Sequence, residues 1–205
     1  MESKSYQTLN AWLQKADWNY VSGRLLWLNA LVGSASNLLW LSSEQIVKIL
    51  LLQRGIDSIA RRCADLDEMH TQCEAMGRSY GHDIGKLTSR LAEQYPSIQI
   101  DKYTSTLKKL HEHFFRRYVV RGSSSISMKL IKDVDAFYFE LRDHIHPDVG
   151  VSTIDEIFIQ RKHQWGHPLP AFGYAYFQNP SFRPRKHRSI RLLGPDGLIY
   201  EEDGC

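Results

Sequence analysis

Apolar side chains recur along most of this chain at steps of three and four, the spacing that lines one face of an α-helix. The densest run is Leu38–Arg54. There Ser42 stands three residues before Gln45, the arrangement of a capping box, and Ile46, Val47, Ile49, Leu50 and Leu52 follow too closely to form one narrow stripe. The pattern predicts a helix that starts at Ser42, is covered on more than one side, and ends at Arg54-Gly55 with a cation in its last turn and a glycine beyond it.

The same periodicity predicts a first helix over 10–32, carrying Trp12, Leu13, Ala16, Tyr20, Trp27, Leu28 and Leu31, with Gly33-Ser34 opening the turn that follows. Asp57–Met76 is helix-compatible but more polar, and Gly77 is its expected end. Ile84, Leu87 and Leu91 share a face up to the stop at Pro96, and 97–103 reads as loop. Lys102–Arg121 places Tyr103, Leu107, Leu110, Phe114 and Tyr118 on one side. A last helix over 127–146 turns Leu130, Ile131, Val134, Phe137, Tyr138, Leu141 and Ile145 inward, before Pro147. Six of the seven prolines lie from Pro147 onward, so helices are not expected there. Ile154–Ile159 and Leu198–Tyr200 read as short strands, with Gly194-Pro195-Asp196-Gly197 turning between Ile190–Leu193 and the latter. The expected architecture is all-α: an up-and-down bundle of about five helices over residues 1–146, followed by an irregular, Pro-containing extension over 147–205.

Composition alters this picture little. A chain of 205 residues with 42% hydrophobic and 24% charged residues can bury one core, and a net charge of +3 implies no partner by itself. Three cysteines with no framework spacing point to a reducing, cytoplasmic setting. The N-terminus lacks the apolar segment of a secretory signal, and Leu25–Leu41 is too short and too interrupted by Asn29, Ser34, Ser36 and Asn37 to span a membrane.

The order of several segments resembles the HEPN domain, a helical bundle of toxin–antitoxin and nucleotide-handling systems. The matching pieces are Ala16-Asp17-Trp18, the helix with Glu44-Gln45-Ile46-Val47-Lys48, the stretch Gly81-His82-Asp83-Ile84-Gly85-Lys86-Leu87, then Phe115-Arg116-Arg117-Tyr118, and a closing helix with Asp135-Ala136-Phe137. Together they cover roughly residues 15–146. The resemblance implies association with RNA or a nucleotide, a homodimer, and a toxin or defence setting with an antitoxin or nucleotidyltransferase partner. Two features depart from it. The segment Ile56–Tyr80 is longer than usual for the family. Ribonuclease members carry an Arg and a following His with four to six residues between them, whereas Arg78…His82 and Arg142…His146 here have only three.

Candidate chemistry concentrates at the ends of the later helices. Arg142 and His146 stand four apart, and a base with a cation is what metal-independent cleavage of RNA requires. The same cations at a helix C-terminus would also offset its dipole. His82-Asp83 could bind a phosphate, or Asp83 could cap the helix it precedes. Cys63, His70 and Cys73 match no standard zinc spacing, so neither metal nor cofactor is indicated. Between Ile157 and Gly194 there are seven basic residues and no acidic one, interleaved with aromatics from Phe158 to Phe182. Cations beside rings are how single-stranded RNA is commonly held. Arg183, Arg185, Lys186 and Arg188, joined by Arg116, Arg117, Arg121 and His82, are therefore the RNA- or nucleotide-binding candidates. Two alternatives stand beside this. The aromatics could pin the extension to the bundle, or the extension could dock a partner protein, making the chain a non-catalytic interaction module.

Overall fold

The computed structural model describes residues 3–115, 128–163, 178–187, 189–193 and 199–203. The chain is an all-α bundle, with eight α-helical segments and one two-stranded hairpin among the described residues. Helix α1 (Lys4–Leu28) begins at Ser3, whose hydroxyl accepts the amide of Tyr6. It ends on Asn29-Ala30-Leu31, where Ala30 takes φ 61° and the Leu31 amide reaches back to the Leu26 carbonyl. That is a Schellman turn, with alanine in the position glycine usually fills. The expected turn at Gly33-Ser34 lies three residues too late, because both residues belong to α2 (Val32–Gln53).

Helix α2 is the central element, touching α1, α3 (Ile56–Ala60), α4 (Leu66–Ser79), α5 (Ile84–Gln94), α6 (Thr104–Phe115) and α7 (Met128–Arg142). Ile46, Val47, Ile49, Leu50 and Leu52 are all buried, as their density required. Ser42 is not a cap. It sits mid-helix and fully buried, and its hydroxyl donates to the Leu39 carbonyl at 2.9 Å, with Ser43 doing the same at 2.7 Å. A serine that back-bonds to the preceding turn satisfies its hydroxyl without ending the helix. The pairing of α1 with α2 is close at Gly23, where a Cβ would stand 3.0 Å from the Leu39 backbone nitrogen.

The polar segment after α2 is two helices rather than one, α3 and α4, with Asp65 capping α4 through the Glu68 amide. Gly77 lies inside α4, which runs on to Ser79. A 3-10 turn at Ile100–Tyr103 leads into α6. Helix α7 stops at Arg142, a turn short of His146, whose position before Pro147 disfavours helical backbone.

The region after Pro147 holds the largest correction. Residues expected as strand, Ile154–Ile159, lie in helix α8 (Thr153–His163). The start signal was present in Ser152-Thr153-Ile154-Asp155: Asp155 reaches back to accept the Ser152 amide at 3.2 Å, half of a capping box. Beyond it, residues 178–187 run as a strap over the bundle, with Phe182 packed against Phe139 and Phe158. Strands β1 (Ser189–Leu193) and β2 (Ile199–Asp203) pair antiparallel, Arg191 opposite Glu201. No helix among the described residues is long and apolar enough to cross a membrane.

Candidate functional site

Two polar centres emerge, one sealed and one open. The sealed one lies where α1, α7, α8 and the strap meet. Arg142 donates from Nε to Asp17 Oδ1 and from Nη2 to Asp17 Oδ2, Asp155 Oδ1 and Ser152 Oγ, all within 3.1 Å. Arg185 donates to Asp155 from its backbone amide, Nε and Nη2, the longest at 3.1 Å, and to the Gly150 carbonyl at 2.7 Å. Ser152 and Tyr138 donate to Asp17, and His187 Nε2 lies 3.2 Å from Asp155. The side chains of Arg142, Arg185, Asp17 and Asp155 are at most 1% exposed.

Burial alone would raise the Asp155 carboxyl, but Arg142, His187 and Arg185 around it hold it well below the usual carboxylate range. Burial likewise opposes the Arg142 charge, and Asp17 and Asp155 more than reverse that, raising its pKa. Nearby, Asp135 accepts from Tyr20 and from Arg24 at 3.0 Å. With one arginine instead of two, burial prevails and the Asp135 carboxyl is raised.

This geometry relocates several sequence candidates. Arg142 has no solvent face and is committed to carboxylates. His146 stands beyond the helix, stacked on Tyr6 with ring centroids 4.8 Å apart, while its amide donates to Gln53 Oε1. Because α7 ends at Arg142, the two residues do not share a helical face. Arg185 is buried, and Arg183 pairs with the exposed Asp143. Lys186 is exposed. Arg116, Arg117, Arg121 and Arg188 lie outside the described residues.

The open centre is built on His82. Gly81, at φ 72°, turns the chain between α4 and α5, and Asp83 then caps α5 by accepting the Lys86 amide at 3.1 Å. This lifts the His82 imidazole over α2, where Nδ1 meets both oxygens of Glu44, at 2.9 and 3.0 Å. Glu44 is 7% exposed and also accepts from the buried Lys48 at 2.7 Å, whereas the His82 side chain is 75% exposed. A buried carboxylate thus fixes one ring nitrogen and leaves Nε2 outward. His82 lines a cleft of about 350 Å³ with Asp83, Ile84 and His111. The His111 ring packs against Trp40, centroids 4.5 Å apart. Exposed Lys86 lies one turn into α5, and exposed Lys108 one turn before His111 on α6.

Sequence reasoning found His82 but not its partners. Glu44 is 38 residues away, and only the packing of α5 on α2 joins them. Cys63 and Cys73 are free and buried, the Cys73 thiol pushed up to about 11 by burial and by Cys63 nearby. Among the described residues no group of three or more His, Cys, Asp or Glu side chains could hold a metal ion. No protein-family model matches the chain, and no match is found among curated proteins or solved structures.

Proposed function

We propose that the protein binds RNA or a nucleotide by its phosphate in the cleft between the start of α5 and α6, with His82 as the ligand-facing group. The observation that carries this reading is the Glu44-held imidazole, fixed at Nδ1 and exposed at the mouth of a cleft it shares with His111. Protonated, such a ring donates from both nitrogens, one to Glu44 and one to a phosphate oxygen. Lys86 and Lys108, exposed on the two helices that flank the cleft, supply further cations.

Fluorescence anisotropy of a labelled single-stranded RNA and of a labelled mononucleotide tests the reading. Saturable binding that weakens steeply with salt and falls at least tenfold in His82→Ala is expected. A wild-type chain that binds neither probe at low salt overturns it. The same RNA run on a denaturing gel after incubation reports whether binding is accompanied by cleavage.

A further inference from the structure

The pairing of His82 with Glu44 suits covalent chemistry as well as the holding of an anion. We infer that His82 is a phosphoryl-acceptor site, modified on Nε2 by small donors of the phosphoramidate or acyl-phosphate class. The inference goes beyond the proposed binding of RNA or a nucleotide and does not depend on it.

Three side chains build the site from the interior outward. Lys48 and Glu44 stand one turn apart on α2, both buried, with Lys48 Nζ 2.7 Å from Glu44 Oε1. The helix therefore fixes the carboxylate before the histidine meets it. His82 Nδ1 then lies 2.9 and 3.0 Å from the two Glu44 oxygens, while 75% of the His82 side chain is exposed. A carboxylate paired with an ammonium group only accepts hydrogen bonds, so the ring hydrogen sits on Nδ1. In the neutral ring the lone pair is then on Nε2, the nitrogen that Glu44 leaves uncovered. A nucleophile oriented by a second group, itself held by a third, is the arrangement of covalent catalysis.

The other histidines held near carboxylates lack this combination. His187 turns Nε2 itself toward Asp155 and is 2% exposed. His146 accepts the Asp148 amide on Nδ1 at 3.2 Å and stacks on Tyr6, with no buried carboxylate behind it. At His82 the cleft of about 350 Å³ gives a compact donor room to approach.

Glu44 also acts during the reaction. Nε2 attacks the phosphorus of a phosphoramidate whose nitrogen is already protonated. The Nε2–P bond forms as the P–N bond breaks, and the bonding pair leaves with the nitrogen as ammonia. The ring keeps its Nδ1 proton, so the product is an N-phosphorylated imidazolium. Its positive charge develops beside a carboxylate that is in place beforehand, and such a preorganised charge lowers the barrier. With an acyl phosphate the P–O bond breaks instead and a carboxylate leaves.

The full chain, labelled with nitrogen-15, is incubated with potassium phosphoramidate and followed by intact mass at neutral pH and by NMR of the ring nitrogens. One phosphoryl group is expected on His82 Nε2, added about tenfold or more faster than on any other histidine of the folded chain, and lost in His82→Ala. In urea that preference should vanish and the label spread over the nine histidines. Glu44 is a positioning residue. Glu44→Gln keeps an acceptor but removes the charge, so the reaction should slow about tenfold. The His82 ring should also lose the nitrogen shifts of the Nδ1-protonated tautomer, a change that a merely structural role for Glu44 would not produce.

Comparable rates at several histidines of the folded wild-type chain overturn the assignment, as does attachment at Nδ1. An undiminished rate in folded Glu44→Gln overturns it too. A chain phosphorylated at His82 that binds neither RNA nor a mononucleotide keeps this site and loses the binding proposal. Binding without phosphorylation does the reverse.

Discussion

The sealed centre around Asp155 and the open centre around His82 use the same parts to opposite ends. Each joins a buried carboxylate to a cation and a histidine. Around Asp155 two arginines, a serine and backbone amides occupy the carboxylates from every side, and the His187 side chain is 2% exposed. Around Glu44 a lysine and a histidine occupy the carboxylate, and the histidine is 75% exposed and lines a cleft. The first arrangement holds elements together, because its buried groups are turned on one another, with Arg185 Nη1 left without a hydrogen bond among the described residues. The second holds one largely exposed imidazole on a buried carboxylate. Exposure, not residue type, separates the two centres.

The comparison breaks most severely at Asp155. Asp155→Asn leaves Arg142 and Arg185 buried with half their compensation, so a loss of about 3–5 kcal/mol is expected in urea unfolding. Acid unfolding checks the same point. The folded-state pKa of Asp155 is depressed, so its stabilisation is fully present above the unfolded carboxylate value and is lost as pH falls through the folded one. Asp155→Asn should remove this part of the acid dependence as well as lowering stability at neutral pH. An acid-unfolding curve of unchanged steepness in the variant would contradict this account of the network.

Next in size is the strap. Phe182 meets Phe139 and Phe158, and Phe182→Ala should cost about 2–3 kcal/mol, somewhat under the usual range for a fully buried ring because this one is only partly covered. Limited proteolysis should then cut first between 178 and 187. Undiminished resistance there would mean that Arg185 and Asn179, whose Nδ2 donates to Tyr20 Oη at 2.8 Å, hold the strap without the ring.

What the sequence made legible follows from range. Periodicity is local, and it placed Leu107, Leu110, Ile131, Val134, Phe137 and Leu141 in the core, where they are. The capping signal at Ser42 misled because a hydroxyl bonds backward into a helix as readily as forward at its start. Ser152–Asp155 carries the equivalent signal, and the expectation of no helix after Pro147 rested on prolines, none of which lies between 148 and 163. The ionic partners were beyond reach by this route. Arg142 meets Asp17 across 125 residues, and nothing local to either marks the other. Arg185 is the sharpest case. Its neighbours Arg183 and Lys186 suggested an exposed basic run, and both are exposed, yet Arg185 faces in together with His187 two residues on, while Lys186 between them faces out.

A smaller effect is expected at Glu44. Glu44→Gln keeps a hydrogen-bonding group beside Lys48 and His82 but removes the charge, so a loss of about 1–2 kcal/mol is expected. RNA or nucleotide affinity should fall as well, because the imidazole loses the carboxylate that holds it. Ala30→Gly, remote from both centres, calibrates the scale. Relieving the left-handed alanine should raise stability by about 0.5–1 kcal/mol and leave binding unchanged.

The smallest effect on stability belongs to His82, and it tells the two centres apart best. The ring is 75% exposed, so His82→Ala should change the free energy of unfolding by no more than about 0.5 kcal/mol. Glu44 remains paired with Lys48 in that variant, so no buried carboxylate is stranded. His187→Ala, at 2% side-chain exposure, is the matched control: it should cost several times more stability and leave ligand affinity within twofold of wild type. Each variant is measured by urea unfolding and by RNA anisotropy on the same preparation. A His82→Ala protein that loses stability as His187→Ala does would make the open centre a second structural lock. One that keeps its stability and loses its ligand leaves Glu44 with a function that packing alone does not explain.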